Sequence, residues 1–280
     1  MQYHFFFQIT KKLAGNAKGT ASWMTNVGNE YGQVLVSVLT VTEGEGLKPL
    51  VDGLIERYVR GNVNPPILMY VDRDCCGDKF RKMFQLWPDM TIRLDIWHLM
   101  RRFADGCSSN SHPLYGTFMA HLSGCLFEWD REDVDRLREA KRSELLAEGI
   151  ANLSAGALDK RISKKELALH CRRTTRGVEV TTRSLEELIT TMSGPAGLSE
   201  MGVPLFNQSR MEVIWRLQKR HILCIQDPPG VQLYTKVREL KKGGVVLPVY
   251  RCARGSTSLE SFHLHVARFV PGISIELHII

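Results

Sequence analysis

The sequence predicts an α/β fold with a mixed five-stranded sheet, flanking helices and a large helical insertion before the last helix. Three strand-like segments stand in succession near the start, and two helix–strand pairs follow them. A long, mostly helical stretch then separates these elements from a last amphipathic helix. Strands followed by alternating helices and strands are typical of a sheet with helices packed against it.

The first three strands are predicted at residues 3–13, 20–26 and 32–41. The third of them, "GQVLVSVLTV", is a nearly continuous β-branched run that begins after a tyrosine and ends before "TEGEG". Such a run is typical of a strand that is buried on both faces. We therefore expect the third strand to lie inside the sheet.

Two helix–strand pairs are predicted next. Residues 47–59 form a helix, because apolar residues at spacings of three and one share one helical face: Leu47, Leu50, Val51, Leu54, Ile55, Tyr58 and Val59. "GNVNPP" ends this helix, and a short strand follows at 67–71. A second helix at 77–87 precedes an alternating strand at 90–94.

Residues 106–255 are predicted to form a mostly helical insertion, because strand signals are sparse there. "SGPAGLSEMGVP" and "QDPPG" are breaks between its helices. The insertion is basic in part, since residues 160–183 hold eight Lys and Arg against two acids. The last helix is predicted at 256–270, so that 1–105 and 256–270 form one core.

Composition limits the class of protein. The 280 residues carry 37 Lys and Arg against 30 Asp and Glu, a formal net charge of +7, which permits a polyanionic partner such as DNA. Seven cysteines without a regular spacing indicate reduced thiols, as expected for a nuclear or cytoplasmic protein. No apolar run approaches the length of a membrane span, so no membrane partner is expected.

The order of the predicted elements is that of a ribonuclease H-like core. In that fold, carboxylates from the first strand, from the end of the fourth strand and from the last helix hold two divalent ions about 3.5–4 Å apart. Asp72 follows the strand at 67–71, and Glu260 lies in the first turn of the last helix. Each has an alternative: Asp72 is an ordinary loop acid, and Glu260 closes a capping box with Thr257.

Three sequence blocks make the resemblance more specific: "MYVDRDCCG", "WPDMTIRLDIWHLMRRF" and "GSTSLESFHLHVARFVPG". They resemble the signatures of transposases with a DDE-type catalytic core, of the mutator-like kind, and of the transposon-derived proteins of fish genomes. The resemblance implies that Asp72 and Glu260 are catalytic metal ligands for Mg²⁺ or Mn²⁺, with Asp74 in reserve. It also implies that Asp95 and His98 are a motif beside the site, and that DNA is the partner.

The chain departs from this family in its first strand. The family's first carboxylate maps to Gln8 or Ile9, neither of which is acidic, and no Asp or Glu precedes Glu30. Two closely spaced divalent ions need anionic ligands, and one of the three is missing here, so we expect little or no catalysis. A second expectation is that this chain binds no metal cofactor. The family's N-terminal zinc and DNA-binding modules are absent from the chain, so a truncated relic or a partial gene model is a further alternative.

Several candidates keep two interpretations. Asp95 is either part of the family motif or a helix N-cap, with His98 packed against the sheet. A set of arginines is predicted to contact DNA phosphates, or else only water: Arg101, Arg102, Arg172, Arg173 and Arg176. A zinc site made of distant cysteines is an alternative, although no C-x₂-C pair exists. The chain is thus either a disarmed transposase core or a non-catalytic nucleic-acid-binding or protein-interaction module, and a homo-oligomer is possible in both cases.

Overall fold

The computed structural model describes the backbone of residues 2–6, and residues 23–40, 46–255, 259, 261–263, 265 and 268. The chain divides into two compact units. Unit 1 comprises Met1–Arg101 and Arg254–Ile280, and unit 2 comprises Arg102–Ala253. The predicted α/β class is confirmed, since helices and strands alternate along the first unit.

Unit 1 contains a five-stranded sheet in the order β3-β2-β1-β4-β5. The strands β1 and β2, and likewise β2 and β3, are antiparallel, whereas β4 is parallel to both β1 and β5. Their bounds are β1 Gln2–Phe6, β2 Trp23–Gly28, β3 Val34–Thr40, β4 Leu68–Val71 and β5 Thr91–Leu94. The sheet is therefore mixed, with its parallel strands on one side of β1.

Burial differs sharply between β3 and β4. All four residues of β4 are buried, as expected for an inner parallel strand that is covered on both faces. The prediction that the third strand is buried on both faces is wrong, because none of the β3 residues is buried and Leu39 is 48% exposed. The sheet order explains this result: β3 lies at the edge, where its apolar run has neighbours on one side only.

Three helices of unit 1 follow the strands. α1, Lys48–Arg60, buries Leu50, Val51 and Leu54 on the predicted face. α2, Lys79–Met83, is shorter than the predicted 77–87 because Phe84 leaves helical geometry, with φ −103° and ψ 37°. α3, Ile96–Ala104, starts directly after β5, and the division between the units falls in its last turn.

The described positions of the last helical segment lie over β2. Leu259 and His263 are one helical turn apart and both are buried. A Cβ atom placed on Gly28 would lie 2.9 Å from Leu259 Cδ2, so this strand and the helix approach closely at Gly28. Glu260 lies outside the described residues, as do Gln8 and Ile9.

Unit 2 is mostly helical, as predicted. Its core includes Phe118, Leu122, Leu185 and Met211, all of them fully or almost fully buried. A two-stranded sheet pairs β6 with β7. The elements are α4 Tyr115–Leu126, β6 Phe127–Trp129, α5 Arg131–Ala147, α6 Ala155–Asp159, α7 Lys164–His170, β7 Arg173–Thr175, α8 Val178–Ser193 and α9 Gln208–Gln218.

A long β-hairpin in unit 2 was not predicted. β8, Tyr234–Lys242, pairs antiparallel with β9, Val245–Cys252, across a two-residue turn. Gly243 and Gly244 form that turn with φ of +53° and +81°, a conformation that favours glycine. The Gly-Gly pair was the available signal, but the lysine-rich β8 lacks the apolar alternation of a strand. The hairpin packs through Leu247 onto a buried cluster that also contains Leu137, Ala140 and Cys171.

Candidate functional site

Asp72 and Asp95 occupy equivalent positions at the ends of two neighbouring parallel strands. The register pairs Val71 of β4 with Leu94 of β5, so the two aspartates come next on their strands. The Asp95 N–H donates to the Val71 carbonyl at 2.8 Å, which extends the ladder by one residue. Asp72 is 6% exposed and Asp95 1%. Burying a carboxylate costs free energy unless hydrogen bonds or opposite charges offset it. Two buried carboxylates at one edge of a sheet therefore need an explanation.

Asp95 is compensated by the helix that follows it. Its Oδ1 accepts from the Trp97 N–H at 3.1 Å, as an N-cap side chain does. Its Oδ2 lies 2.8 Å from Nδ1 of His98, and that side chain is 17% exposed. The predicted alternative of an N-cap with a partly buried histidine therefore fits the geometry. Because a carboxylate oxygen only accepts, Nδ1 of His98 is the donor of this hydrogen bond, and the bond orients the imidazole ring.

Gly255 brings the third sequence block to Asp95. The glycine is buried and has φ +82°, in the left-handed region. A Cβ atom at this position would lie 2.9 Å from Asp95 Oδ1. Gly255 and Asp95 therefore meet at a point where only glycine fits without displacement.

Asp72 and Asp74 have different surroundings. Asp72 Oδ1 lies 4.0 Å from Nε of the half-exposed Arg73, which is a weak ion pair. Asp74 adopts a left-handed conformation with φ +57° in the loop after β4, and its 43%-exposed side chain lies 3.7 Å from Lys79 Nζ. The buried Asp72 is thus the better-placed carboxylate of the two for a site at the sheet edge.

The position on β1 beside Asp72 is His4. The register pairs Tyr3 with Val71, so His4 comes next to Asp72 one residue further along both parallel strands. His4 also pairs with Asn26 of β2, which in turn pairs with Ser37 of β3. A row of polar positions therefore crosses β3, β2 and β1 at Ser37, Asn26 and His4, and it points toward Asp72 and Asp95, the residues just beyond β4 and β5. The adjacent row is almost entirely apolar: Val36, Val27, Tyr3, Val71 and Leu94.

The last helical segment covers part of this polar row. Asn26 is fully buried, and its Nδ2 donates to Nε2 of His263, which is 1% exposed. Asn26 Oδ1 has no hydrogen-bond partner among the described residues. A buried amide oxygen without a partner costs about 1–3 kcal/mol. Sequence reasoning missed Asn26 and His263, because strand register and helix placement are not visible in a single sequence.

Arg172 is bound within unit 2. Its Nε donates to Asp133 Oδ2 at 2.7 Å, and its guanidinium lies 5.4 Å from the centre of the Tyr250 ring. Burial acts to raise the pKa of Asp133, but the hydrogen bonds and the charge of Arg172, together with the charge of Arg136, outweigh it and lower that pKa. Arg172 therefore stabilises the fold, and its predicted contact with DNA stays a prediction.

Arg173 and Arg176 are also engaged. The Arg173 guanidinium lies 4.0 Å from the centre of the Phe127 ring, a cation–π contact. Arg176 Nε donates to the Gly124 carbonyl at 2.7 Å, and its Nη1 lies 3.7 Å from Glu128 Oε2. Both arginines therefore contact residues in or next to β6.

Arg101 and Arg102 point to different partners. Arg101 lies 5.7 Å from the centre of the Trp97 ring, and Trp97 is 41% exposed. Arg102 Nη1 donates to Gln218 Oε1 at 2.9 Å. Their predicted role as phosphate contacts stays a prediction.

Each unit also contains a pair of neighbouring side chains of the types that serve as ligands for soft metal ions. In unit 1 the adjacent Cys75 and Cys76 have their Sγ atoms 3.7 Å apart. In unit 2 His221 and Cys224 are three residues apart on consecutive 3₁₀ turns. Either pair supplies at most two of the four ligands that a structural zinc ion takes. All seven cysteines are free thiols, in agreement with the predicted reduced state.

Comparisons with known proteins do not assign this chain to a family. No family model, no curated protein and no solved structure matches this chain. Within the described ranges of the chain, no helix has the length and apolar character to cross a membrane.

Proposed function

We propose that this chain is a transposase-derived protein with a ribonuclease H-like core, descended from an enzyme that cleaved and joined DNA strands with divalent metal ions. One observation carries the proposal. Two buried carboxylates, Asp72 and Asp95, stand at the ends of adjacent parallel strands in a sheet ordered β3-β2-β1-β4-β5. In that order β2 alone runs opposite to the other four strands, and this is the arrangement that the proposed fold requires.

The position of unit 2 supports the same proposal. It is inserted after α3 and before the last helical segment, which is where the resembling transposases carry their helical insertion. The close approach of Gly255 to Asp95 joins two of the three sequence blocks that carry the resemblance. The proximity of Gly255 to Asp95 therefore supports the proposal at one point of each of these two blocks.

The residues at the sheet edge fit a two-metal centre only incompletely. Asp72, with Glu260 from the last helix, would hold Mg²⁺ or Mn²⁺ through the hard oxygen ligands that these ions prefer. The third ligand should come from β1, yet the register places a histidine, His4, beside Asp72. The resemblance instead maps this ligand to Gln8 or Ile9, and none of the three residues is acidic. We therefore propose a protein with little or no strand-cleaving activity.

Calorimetry with Mn²⁺ tests this proposal. The native chain, His4→Asp and Gln8→Asp are titrated side by side after treatment with a chelator, and zinc content is measured because cysteine and histidine side chains bind zinc. We expect no binding to the native chain and restored binding to His4→Asp, because a carboxylate beside Asp72 completes the anionic set. Gln8→Asp is the matched control for added charge.

Three outcomes separate the alternatives. Restoration by Gln8→Asp alone would show that the register assigned to β1 is wrong by four residues. Binding to neither variant would overturn the metal-site ancestry. Metal-dependent nicking of DNA by the native chain, abolished by Asp72→Asn, would overturn the proposed loss of catalysis and retain the fold.

A second candidate is a non-catalytic nucleic-acid-binding module. It is favoured by the charge of unit 2, where Lys and Arg outnumber Asp and Glu. Affinity for DNA that falls steeply with salt, without any need for divalent ions, would support this candidate. An absence of binding at low salt would remove it.

A further inference from the structure

The ionic groups around α5, α6 and α7 are mostly arranged in balanced pairs. Lys141 and Lys242 each lie 3.0 Å from the same oxygen of Glu166, and Glu144 lies within 4.0 Å of both lysines. Arg138 similarly binds Asp159 at 2.7 Å and Asp135 at 2.9 Å. The first set has no net charge, whereas Arg138 with its two aspartates keeps one net negative charge, so neither set adds positive potential to the surface.

Four neighbouring cations remain outside this arrangement. Lys160, Arg161, Lys164 and Lys165 are all exposed. In the part of the chain that the structure describes, none of their side chains has a hydrogen bond or an ion pair. We name residues 160–165 the basic turn. Its six residues include four positive charges and no acid, although Asp159 and Glu166 flank it directly.

The backbone of the basic turn is held in place. The Arg161 N–H donates to the Leu158 carbonyl at 2.9 Å, and Leu158 is 1% exposed. Ile162 packs against the buried cluster that contains Leu137 and Leu247. Ser163 caps α7 through a capping box with Glu166. The two inward anchors therefore leave the four cations on the outside of a defined turn.

The stability of α7 does not explain why two lysines stand at its start. Lys164 and Lys165 are the first two residues of α7, where the positive end of the helix dipole disfavours cations. Acidic residues would be the stabilising choice at these two positions. The lysines are thus unfavourable for the helix itself, which suggests an external anion as their partner.

We propose that the basic turn binds the phosphate backbone of a nucleic acid. Four exposed cations on a fixed turn complement a repeating row of phosphates, and neutralising each phosphate releases counterions. A basic run can also be bound as an extended peptide by an import receptor, but here Lys164 and Lys165 are helical and would first have to unfold. This inference deepens the second candidate function and rests on it, whereas it needs neither Asp72 nor a metal ion.

The basic turn lies before the arginines of unit 2 that the sequence predicts as DNA contacts. Those arginines, Arg172, Arg173 and Arg176, have side chains that already contact protein groups. The four cationic side chains of the basic turn have no hydrogen bond or ion pair within the described residues. Binding at the basic turn would therefore leave the ion pairs of unit 2 intact.

The test measures affinity for a short DNA duplex by fluorescence anisotropy at 50 and 200 mM salt. The first variant replaces Lys160, Arg161, Lys164 and Lys165 with Gln. The matched control replaces four other exposed cations of unit 2 with Gln, and so removes the same charge: Arg131, Arg183, Arg216 and Lys241. A second variant, Lys164→Glu with Lys165→Glu, reverses the charge at the start of α7.

We expect the basic-turn variant to flatten the plot of log affinity against log salt by about 3.6, since each phosphate contact contributes about 0.9. Between 50 and 200 mM salt, the native chain should lose about a hundredfold more affinity than this variant does. The control should bind like the native chain. The charge-reversed variant should bind most weakly, while its thermal midpoint stays level or rises because the helix dipole favours glutamate.

Three results would overturn the inference. Native affinity in the basic-turn variant would show that the phosphates lie elsewhere. An equal loss in the control would show that only the total charge of unit 2 matters. An absence of native binding at 50 mM salt, or binding of an import receptor alone, would remove the nucleic acid as the partner. The Mn²⁺ titration would still decide the ancestry of unit 1 in each case.

Discussion

Replacing Gly255 with alanine should destabilise unit 1 through a single added methyl group. Gly255 has φ +82°, and its Cβ would lie 2.9 Å from Asp95 Oδ1. That carboxylate cannot move freely, because it accepts from the Trp97 N–H and pairs with His98. The substitution therefore strains the backbone and disturbs two interactions at once.

The size of the effect follows from these two parts. A left-handed conformation costs a non-glycine residue about 1–2 kcal/mol. Disturbing a hydrogen bond to a charged group costs about 1.5–3 kcal/mol. We therefore expect Gly255→Ala to lower the free energy of unfolding by about 2.5–5 kcal/mol, measured by urea denaturation with one common m-value for both proteins.

Gly46→Ala is the matched control in the same unit. Gly46 has φ +68°, but the nearest atom to its Cβ would be Thr40 Cγ2 at 3.9 Å, an ordinary contact. This variant should lose only the backbone part, about 1–2 kcal/mol. Equal losses at Gly255 and Gly46 would refute the reasoning that Asp95 is pinned against the glycine. A double variant with Asp95→Ala should recover part of the loss at Gly255.

Three further predictions concern buried ionisable groups. Asp133→Ala should destabilise unit 2 by about 1.5–3 kcal/mol in urea denaturation, because it removes a fully buried acceptor of charged hydrogen bonds from Arg172, while Asp130 remains 3.3 Å from that arginine. Burial acts to raise the pKa of Glu166, but the bonds it accepts from Ser163 and two lysines outweigh burial and lower that pKa to about 2. Its stabilisation should be complete above the unfolded pKa of about 4.3 and be lost as pH falls toward the folded value, a loss that Glu166→Gln should remove. Burial raises the pKa of Cys171 to about 12, so its thiol should react with alkylating agents far more slowly than the exposed Cys252.

Each of these predictions has a contrasting result. Asp159 makes a comparable ion pair but is 44% exposed, so Asp159→Ala should cost under about 1 kcal/mol, and an equal cost at both sites would contradict the role of burial. An unchanged acid transition in Glu166→Gln would show that other carboxylates govern it. Alkylation of Cys171 as fast as Cys252 in the folded chain would mean that its environment opens readily to solvent.

The strands and helices of unit 1 could largely be predicted from the sequence. Apolar periodicity marked the inner strand at 67–71 and the buried face of α1, because local pattern and burial follow the same period. The apolar run of the third strand led to a wrong prediction of its burial, since such a run does not reveal whether a strand lies inside the sheet or at its edge. It also overlooked the hairpin β8–β9, whose stability comes from packing onto Leu137 and Cys171 and not from its own pattern.

For the candidate site, the sequence by itself determined which residues could carry the chemistry: Asp72, Asp95, His98 and the basic residues of the insertion. Only the tertiary structure decided their partners. Strand register brought His4 and Asn26 into one row with Asp72, and the last helical segment placed His263 over it. Ion pairing in unit 2 separated the engaged arginines from the exposed basic turn. Register and pairing join residues far apart in the chain, so no local pattern of charge or hydrophobicity records them.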